Sequence, residues 1–274
     1  MVGPVRVGCC GWSYKEWVGP FYRTADRMLT QYIRVFDTVE MDSTFYRVPD
    51  ERTMRGIARV LPKGFCFTAK LPGAITHEAA CRKTERSDTA LAQFVRALEP
   101  LQVQGSLSLV LVQLAPSFTS EQAGDLEQLL GTLRDLGLRT ATEFRHPSWL
   151  EPDQVGESLR LLRRTASSYT VVDEPLLPSV VHRTAPPVYV RMHGRNPAHW
   201  YDYAYSEEEL AAWADKVQGI LEEGEEVIVV FNNHPHGNAP RNARRFRELL
   251  GLAPAPGGLD LGATGPVSRT SDRS

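Results

Sequence analysis

Eight short apolar runs alternate with stretches of helical spacing, and no other feature constrains the fold of this chain so strongly. The runs cover residues 5–11, 36–42, 65–70, 108–114, 139–144, 168–173, 188–194 and 226–233. Between or after them, residues 27–35, 51–60, 88–98, 120–136, 153–165, 206–223 and 239–250 read as amphipathic helices. Strand–helix alternation demands a parallel sheet, and eight units are the number that closes one into a barrel. An open doubly wound sheet would usually carry a Gly-rich phosphate loop after its first strand. Here that strand ends in Cys10-Gly11-Trp12, with no GxGxxG. The expected fold is α/β, a single (β/α)8 TIM-like barrel. Residues 174–187 hold four prolines and are too few for a full crossover helix, so one helix, between strands six and seven, is expected to be reduced.

The length of 274 residues fits one such domain. A chain this long can bury a large core without covalent staples. The barrel is expected over 1–252. A tail over 253–274, rich in Gly, Pro, Ser and Thr, is expected to be disordered and outside the chemistry. The net charge of -2 argues against a general polyanion binder. Cys9, Cys10, Cys66 and Cys81 form no CxxC pair, which argues against a disulfide framework and a structural zinc site. No apolar run approaches the ~20 residues needed to span a bilayer. Residues 1–6 show no signal-peptide core, so a cytoplasmic location with reduced thiols is expected.

Side chains alternate faces along a strand, so a barrel strand sends every second residue inward. In strand seven, Val188, Val190 and Met192 suit the helix layer, which leaves Tyr189, Arg191 and His193 inside. The same reasoning turns Cys66, Thr68 and Lys70 inward from strand three and Thr38, Glu40 and Asp42 from strand two. Strand five sends in Ala141, Glu143 and Arg145. Strand four adds Gln113, strand six Asp173, and strand eight Asn232 or Asn233. The polar residues gather at the C-terminal strand ends, where barrels of this type carry their active sites. Burying an unpaired charge costs several kcal/mol or more, and apolar packing is usually at least as stable as a buried ion pair. A ring of charges therefore points to chemistry. The plain alternative is mutual neutralisation, Glu40 with Lys70 and Glu143 with Arg145 or Arg191.

The first loop carries Trp12, Tyr14, Trp17, Phe21 and Tyr22; the loop after strand seven carries His199, Trp200, Tyr201, Tyr203 and Tyr205. These aromatics either line a pocket or pack the loops on the rim, Trp17 and Phe21 being the better candidates for packing. His77, His146, His234 and His236 follow strands three, five and eight, beside carboxylates, which suits acid–base work. Arg241, Arg244, Arg245 and Arg247 read as a solvated helix face.

Gly11-Trp12-Ser13-Tyr14, Thr44-Phe45-Tyr46-Arg47, Lys70 with Thr76-His77, and Gln113-Leu114-Ala115-Pro116-Ser117-Phe118 occur in that order. Glu143-Phe144-Arg145-His146-Pro147-Ser148-Trp149, Arg191-Met192-His193-Gly194 and Phe231-Asn232-Asn233 follow. Together, over about residues 5–250, these motifs resemble domain-of-unknown-function family 72. The resemblance implies a TIM-like barrel and no established activity or cofactor. Cys9-Cys10 before Gly11 and Ala115 before Pro116 depart from the family pattern.

Three functions compete. The first is an enzyme acting by general acid/base chemistry on a small anionic substrate, phosphorylated or carboxylated and of sugar-like size. Lys70, Arg145 and Arg191 would bind the anion. Glu40 and Glu143 would serve as general base and acid, with His77 or His193 shuttling the proton. Trp12, Tyr14, Tyr46, Gln113, His146, Asn232 and Asn233 complete the expected substrate site. An isomerase, lyase or hydrolase would fit, with no cofactor expected. The second is a divalent-metal hydrolase or nuclease with Glu40, Glu143, Asp173 and His193 as ligands. Three cations at the same rim and the lack of an HExxH motif count against it, so no metal ligands are assigned. The third is a non-catalytic ligand- or nucleic-acid-binding protein; neither nucleic acid nor a membrane is an expected partner.

Overall fold

Strands that lie between a filled barrel interior and a shell of helices are buried on both faces, which is why these read as continuous apolar runs. A computed structural model describes residues 3–253. All but the first residue of the expected tail lies outside the described residues. The strands are β1 (Val5–Cys10), β2 (Thr38–Met41), β3 (Cys66–Lys70), β4 (Leu107–Gln113), β5 (Thr140–Glu143), β6 (Ser167–Asp173), β7 (Val188–Met192) and β8 (Val227–Phe231). Each pairs in parallel with the next, and β8 closes on β1. The helices are α1 (Met28–Tyr32), α2 (Glu51–Val60), α3 (Glu85–Gln104), α4 (Ala123–Asp135), α5 (Val155–Arg164), α6 (Glu207–Glu222) and α7 (Asn238–Leu249).

The pleat divides the apolar residues into two cores. Cys10, Leu109, Leu111, Ala141, Tyr189, Ile228 and Val230 fill the barrel interior. Val188, Val190 and Met192 join the larger core between sheet and helices, so β7 alternates as its sequence requires. Above the interior plug, toward the C-terminal strand ends, apolar residues give way to charged and amide groups.

Residues 174–187 between β6 and β7 carry no helix. Thr184 ties this segment to β6: its hydroxyl accepts from the Tyr169 N–H at 2.7 Å and donates to the Ser167 carbonyl at 2.7 Å. The β7–α6 loop turns sharply at Gly194, φ 109°, where a Cβ would meet the Trp200 carbonyl oxygen at 2.2 Å. Only glycine satisfies both that φ and that approach.

Candidate functional site

Arg191 of β7 sits at the centre of the strand ends. Its Nε and Nη2 donate to the two Glu40 oxygens of β2 at 3.1 and 2.7 Å. Its Nη1 donates to Glu143 of β5. Glu40 also accepts from the Tyr189 hydroxyl at 2.6 Å, and Glu143 from Gln113 Nε2 at 2.7 Å and Arg145 Nη1 at 2.8 Å. Both glutamates are 0% exposed and Arg191 is 1% exposed. Such burial is tolerable because each carboxylate is ion-paired and multiply hydrogen-bonded. Burial by itself would push the Glu143 carboxyl up; Arg191, His193 and Arg145 more than reverse it and hold the group well below the usual carboxylate range.

His193 packs against this cluster. Its Nδ1 lies 3.1 Å from the Asn232 amide, and its Nε2 lies 3.3 Å from Arg191 Nη1 and 3.7 Å from Glu143 Oε1. Burial, and then Arg191, lower the imidazole to about 4, so the ring is neutral at pH 7. The Cys10 sulfur lies 3.8 Å from Arg191 Nη2. Burial, then Glu40, push that thiol up, so it stays protonated and unreactive.

Lys70 ends β3 beside this cluster under different terms. Its Nζ lies 4.0 Å over the Phe45 ring and makes no hydrogen bond or ion pair among the described residues. Burial, and then Arg191, lower the ammonium to about 8. Phe45 stands on the short turn Ser43–Phe45 after β2. Thr44 fixes that turn, since its hydroxyl lies 2.9 Å from the Met41 carbonyl and 2.6 Å from that of Lys70. His77 sets its edge against the same Phe45 ring at 4.7 Å and bonds through Nδ1 to the Thr76 hydroxyl at 2.9 Å. Burial, then Lys70 and Arg145, lower its pKa. Met41 pairs with Ala69, so Asp42 and Lys70 leave their strands side by side. Burial, then Glu40, raise the Asp42 carboxyl. On the far side Arg145 stacks over Trp200 at 4.9 Å. A wall of rings closes the rim near His193: Tyr14 on His234 at 4.8 Å and 7°, and Tyr201 on His234 at 6.0 Å.

Of the residues expected at the site, Glu40, Gln113, Glu143, Arg145, Arg191, His193 and Asn232 form one bonded network, with Lys70 and His77 beside it. The others are spent elsewhere. Tyr46 is 83% exposed and lines a groove of about 900 Å³ with Arg47, Asp50 and Arg96. Asn233 donates to the Tyr203 carbonyl and to Asn242, both at 2.8 Å. His146 caps the turn Pro147–Trp149 by accepting from the Ser148 N–H at 3.2 Å. Trp12 sets its edge on Phe67 at 6.0 Å; the Tyr14 hydroxyl is taken by the Cys10 carbonyl, to which it donates, and only the Tyr14 ring remains at the rim. Asp173 does not face the cluster. It shares a strand face with Tyr169 and Val171 of the outer core, and bonds Ser179 and Arg195 at 3.0 to 3.1 Å. Of the neutralising pairs offered as the alternative, Glu143 meets both Arg145 and Arg191, whereas Glu40–Lys70 is not formed, because Arg191 takes Glu40. Cys10, Tyr189 and Phe45 are site residues that the sequence reading did not select. Face parity marks the first two; for Phe45 the only signal is its place in the Thr44-Phe45-Tyr46-Arg47 motif.

Among the described residues no group of three or more His, Cys, Asp or Glu side chains could hold a metal ion, and no helix is long and apolar enough to cross a membrane. The family model for a protein of unknown function, DUF72, matches residues 6–260. The UPF0759 protein YunF of Bacillus subtilis is 27% identical over 283 residues, covering 94% of this chain and 99% of its own. The crystal structure of a DUF72 family protein from Thermotoga maritima is 32% identical, with a TM-score of 0.77 over 90% of this chain and 99% of that one. A xylose isomerase domain containing protein from Salmonella typhimurium is similar in fold alone, at 11% identity and a TM-score of 0.54, over 91% of this chain and 98% of that one.

Proposed function

The chain belongs to the DUF72 family of proteins of unknown function, and from that premise we propose that it is an enzyme acting by acid–base chemistry on a small phosphorylated or carboxylated substrate at the C-terminal mouth of its barrel. One observation carries the reading: Arg191 and Arg145 are balanced by Glu40 and Glu143, whereas Lys70 makes no ion pair among the described residues. An uncommitted cation on an aromatic face, at the end of a barrel where ligands enter, is a site for an anion. The stacked Tyr14, His234 and Tyr201 supply a flat wall suited to a sugar-like body.

The roles divide accordingly. Glu40 and Glu143 are both ion-paired to Arg191, and Glu143 is held well below the usual carboxylate range, which suits it to a fixed charge rather than to proton exchange near pH 7. They form a rigid floor that fixes the field. In this reading Lys70 and His77 take the acid and base roles that the sequence suggested for the two glutamates, because Lys70 titrates at about 8 and both side chains meet on the Phe45 ring without an ion pair among the described residues.

A pooled metabolite library with and without EDTA, read by thermal shift, tests this. Phosphorylated or carboxylated compounds should raise Tm in a concentration-dependent way, with or without EDTA, and Lys70→Met should abolish the rise. The reading fails if no anionic compound shifts Tm, or if the variant responds like the parent. A rise that EDTA removes would transfer the site to a divalent metal.

A further inference from the structure

The anion reading leaves open why the uncommitted cation is a primary amine. Of the 31 Lys and Arg residues only five are lysines. Lys15, Lys63, Lys83 and Lys216 are exposed. Lys70 alone stands at an inward strand end, and there the chain uses a side chain that can lose its proton, where arginine cannot.

We infer that Lys70 is a carbonyl-capturing amine, forming an imine with a small aldehyde or ketone that bears a carboxylate or phosphate. The inference rests on the anion-binding reading of the same site. Three observations support it. First, among the described residues Nζ has no carboxylate within ion-pair distance to hold it as an ammonium; its contact is the Phe45 face. Burial and the neighbouring Arg191 guanidinium both disfavour its charge, and the amine is half free at about pH 8. These are the two means by which proteins activate a lysine nucleophile. Second, a proton donor and acceptor flank it. Asp42 leaves the adjacent strand beside it, and His77 lies against the same phenyl ring. Third, Arg145 stacks on Trp200 and gives only its Nη1 to Glu143, so its other guanidinium nitrogens can donate to the substrate's anionic group after the amine has been consumed.

The step balances without a redox partner. The Lys70 nitrogen lone pair attacks the carbonyl carbon. The C=O π pair moves to oxygen, which takes one proton, while the nitrogen gives one up to Asp42 or His77. A second proton returned to that hydroxyl lets it leave as water, the nitrogen sheds its remaining extra proton, and C=N forms. Carbon and nitrogen keep their electron count, and one water is released for each imine.

Borohydride adds hydride to such an imine and fixes it as a secondary amine, so the adduct weighs the probe less one oxygen. The full-length protein would be incubated with pyruvate, glyoxylate or dihydroxyacetone phosphate plus borohydride, then analysed by intact mass and peptide mapping. One adduct on the peptide containing Lys70, with trapping that rises as pH passes through about 8, is the expected result. Lys70→Arg should keep its anion-induced Tm rise and lose the adduct. Two results would overturn the inference: no adduct with any probe, or adducts spread over the exposed lysines and the α-amino group and retained in Lys70→Arg. If anions still raise Tm in either case, only imine formation falls, and Lys70 remains a charge contact. If anions have no effect on Tm, the underlying reading falls as well.

Discussion

Arg191 meets two carboxylates at once because guanidinium is a planar fork with donors on three nitrogens, and β2 and β5 present Glu40 and Glu143 to opposite edges of it. Removing it leaves two buried anions with one remaining counter-charge, on Arg145. Arg191→Met should therefore lower stability by about 3–5 kcal/mol in urea denaturation. Adding Glu40→Gln and Glu143→Gln to that variant should recover much of the loss, since the unpaired charges go with it. A single variant as stable as the parent would show that the cluster contributes nothing to folding. The members of this cluster were legible in the sequence because face parity is a local property. Their pairing was not. Glu40 bypasses Lys70 on the next strand for a partner 151 residues away, a choice made by the barrel interior. Asp173 shows polarity and parity in conflict: its charge suggests the barrel interior, but Tyr169 and Val171 on the same face mark that face as the outer one.

Among the elements, the helices show where local signals stop. Helix α2 (Glu51–Val60) has the bounds that the periodicity predicts, and the Asp50 side chain caps it by accepting from the Thr53 N–H at 2.7 Å. Helix α1 is shorter than predicted: Arg27 takes φ 50° and cannot begin it, and past Tyr32 the chain tightens into turns in which Arg34 and Val35 donate to the Gln31 and Tyr32 carbonyls. Helix α3 is longer. Thr84 and Ser87 form a capping box ahead of the predicted start, and the helix passes Pro100, which ordinarily ends one, before stopping at Gly105. The helix-free segment 174–187 holds on by Thr184, whose hydroxyl occupies two backbone groups of β6. Thr184→Val leaves both without that partner and should cost about 1–3 kcal/mol in urea denaturation, with faster amide exchange at Tyr169. Thr184→Ser keeps the hydroxyl and should cost much less; equal losses for the two would sink this account.

At the scale of the molecule, the cluster makes stability depend on acid. Buried His193 titrates at about 4, against an ordinary 6.5. The unfolded chain therefore takes up this proton first, and the contribution is complete above 6.5 and lost as pH falls toward 4. The loss amounts to about 3 kcal/mol by pH 4. Glu143 adds to it lower down, because a carboxylate held below its ordinary 4.5 keeps its contribution above that value and loses it as pH falls from there toward the lowered one. Urea midpoints measured across this range should drop steeply for the parent and more gently between pH 6.5 and 4.5 for His193→Gln. Parallel curves would remove His193 from the explanation.

The bridge from Arg191 to Glu40 and Glu143 also orders events in time. The two carboxylates are synthesised 151 and 48 residues before the cation that neutralises them. On a ribosome, Glu143 can meet Arg145 two residues later, but Glu40 has no ion-pair partner until β7 has emerged. A half-barrel ending at β4 or β6 lacks Arg191, so a polypeptide cut short before residue 191 should stay open rather than fold into a smaller version of the same barrel.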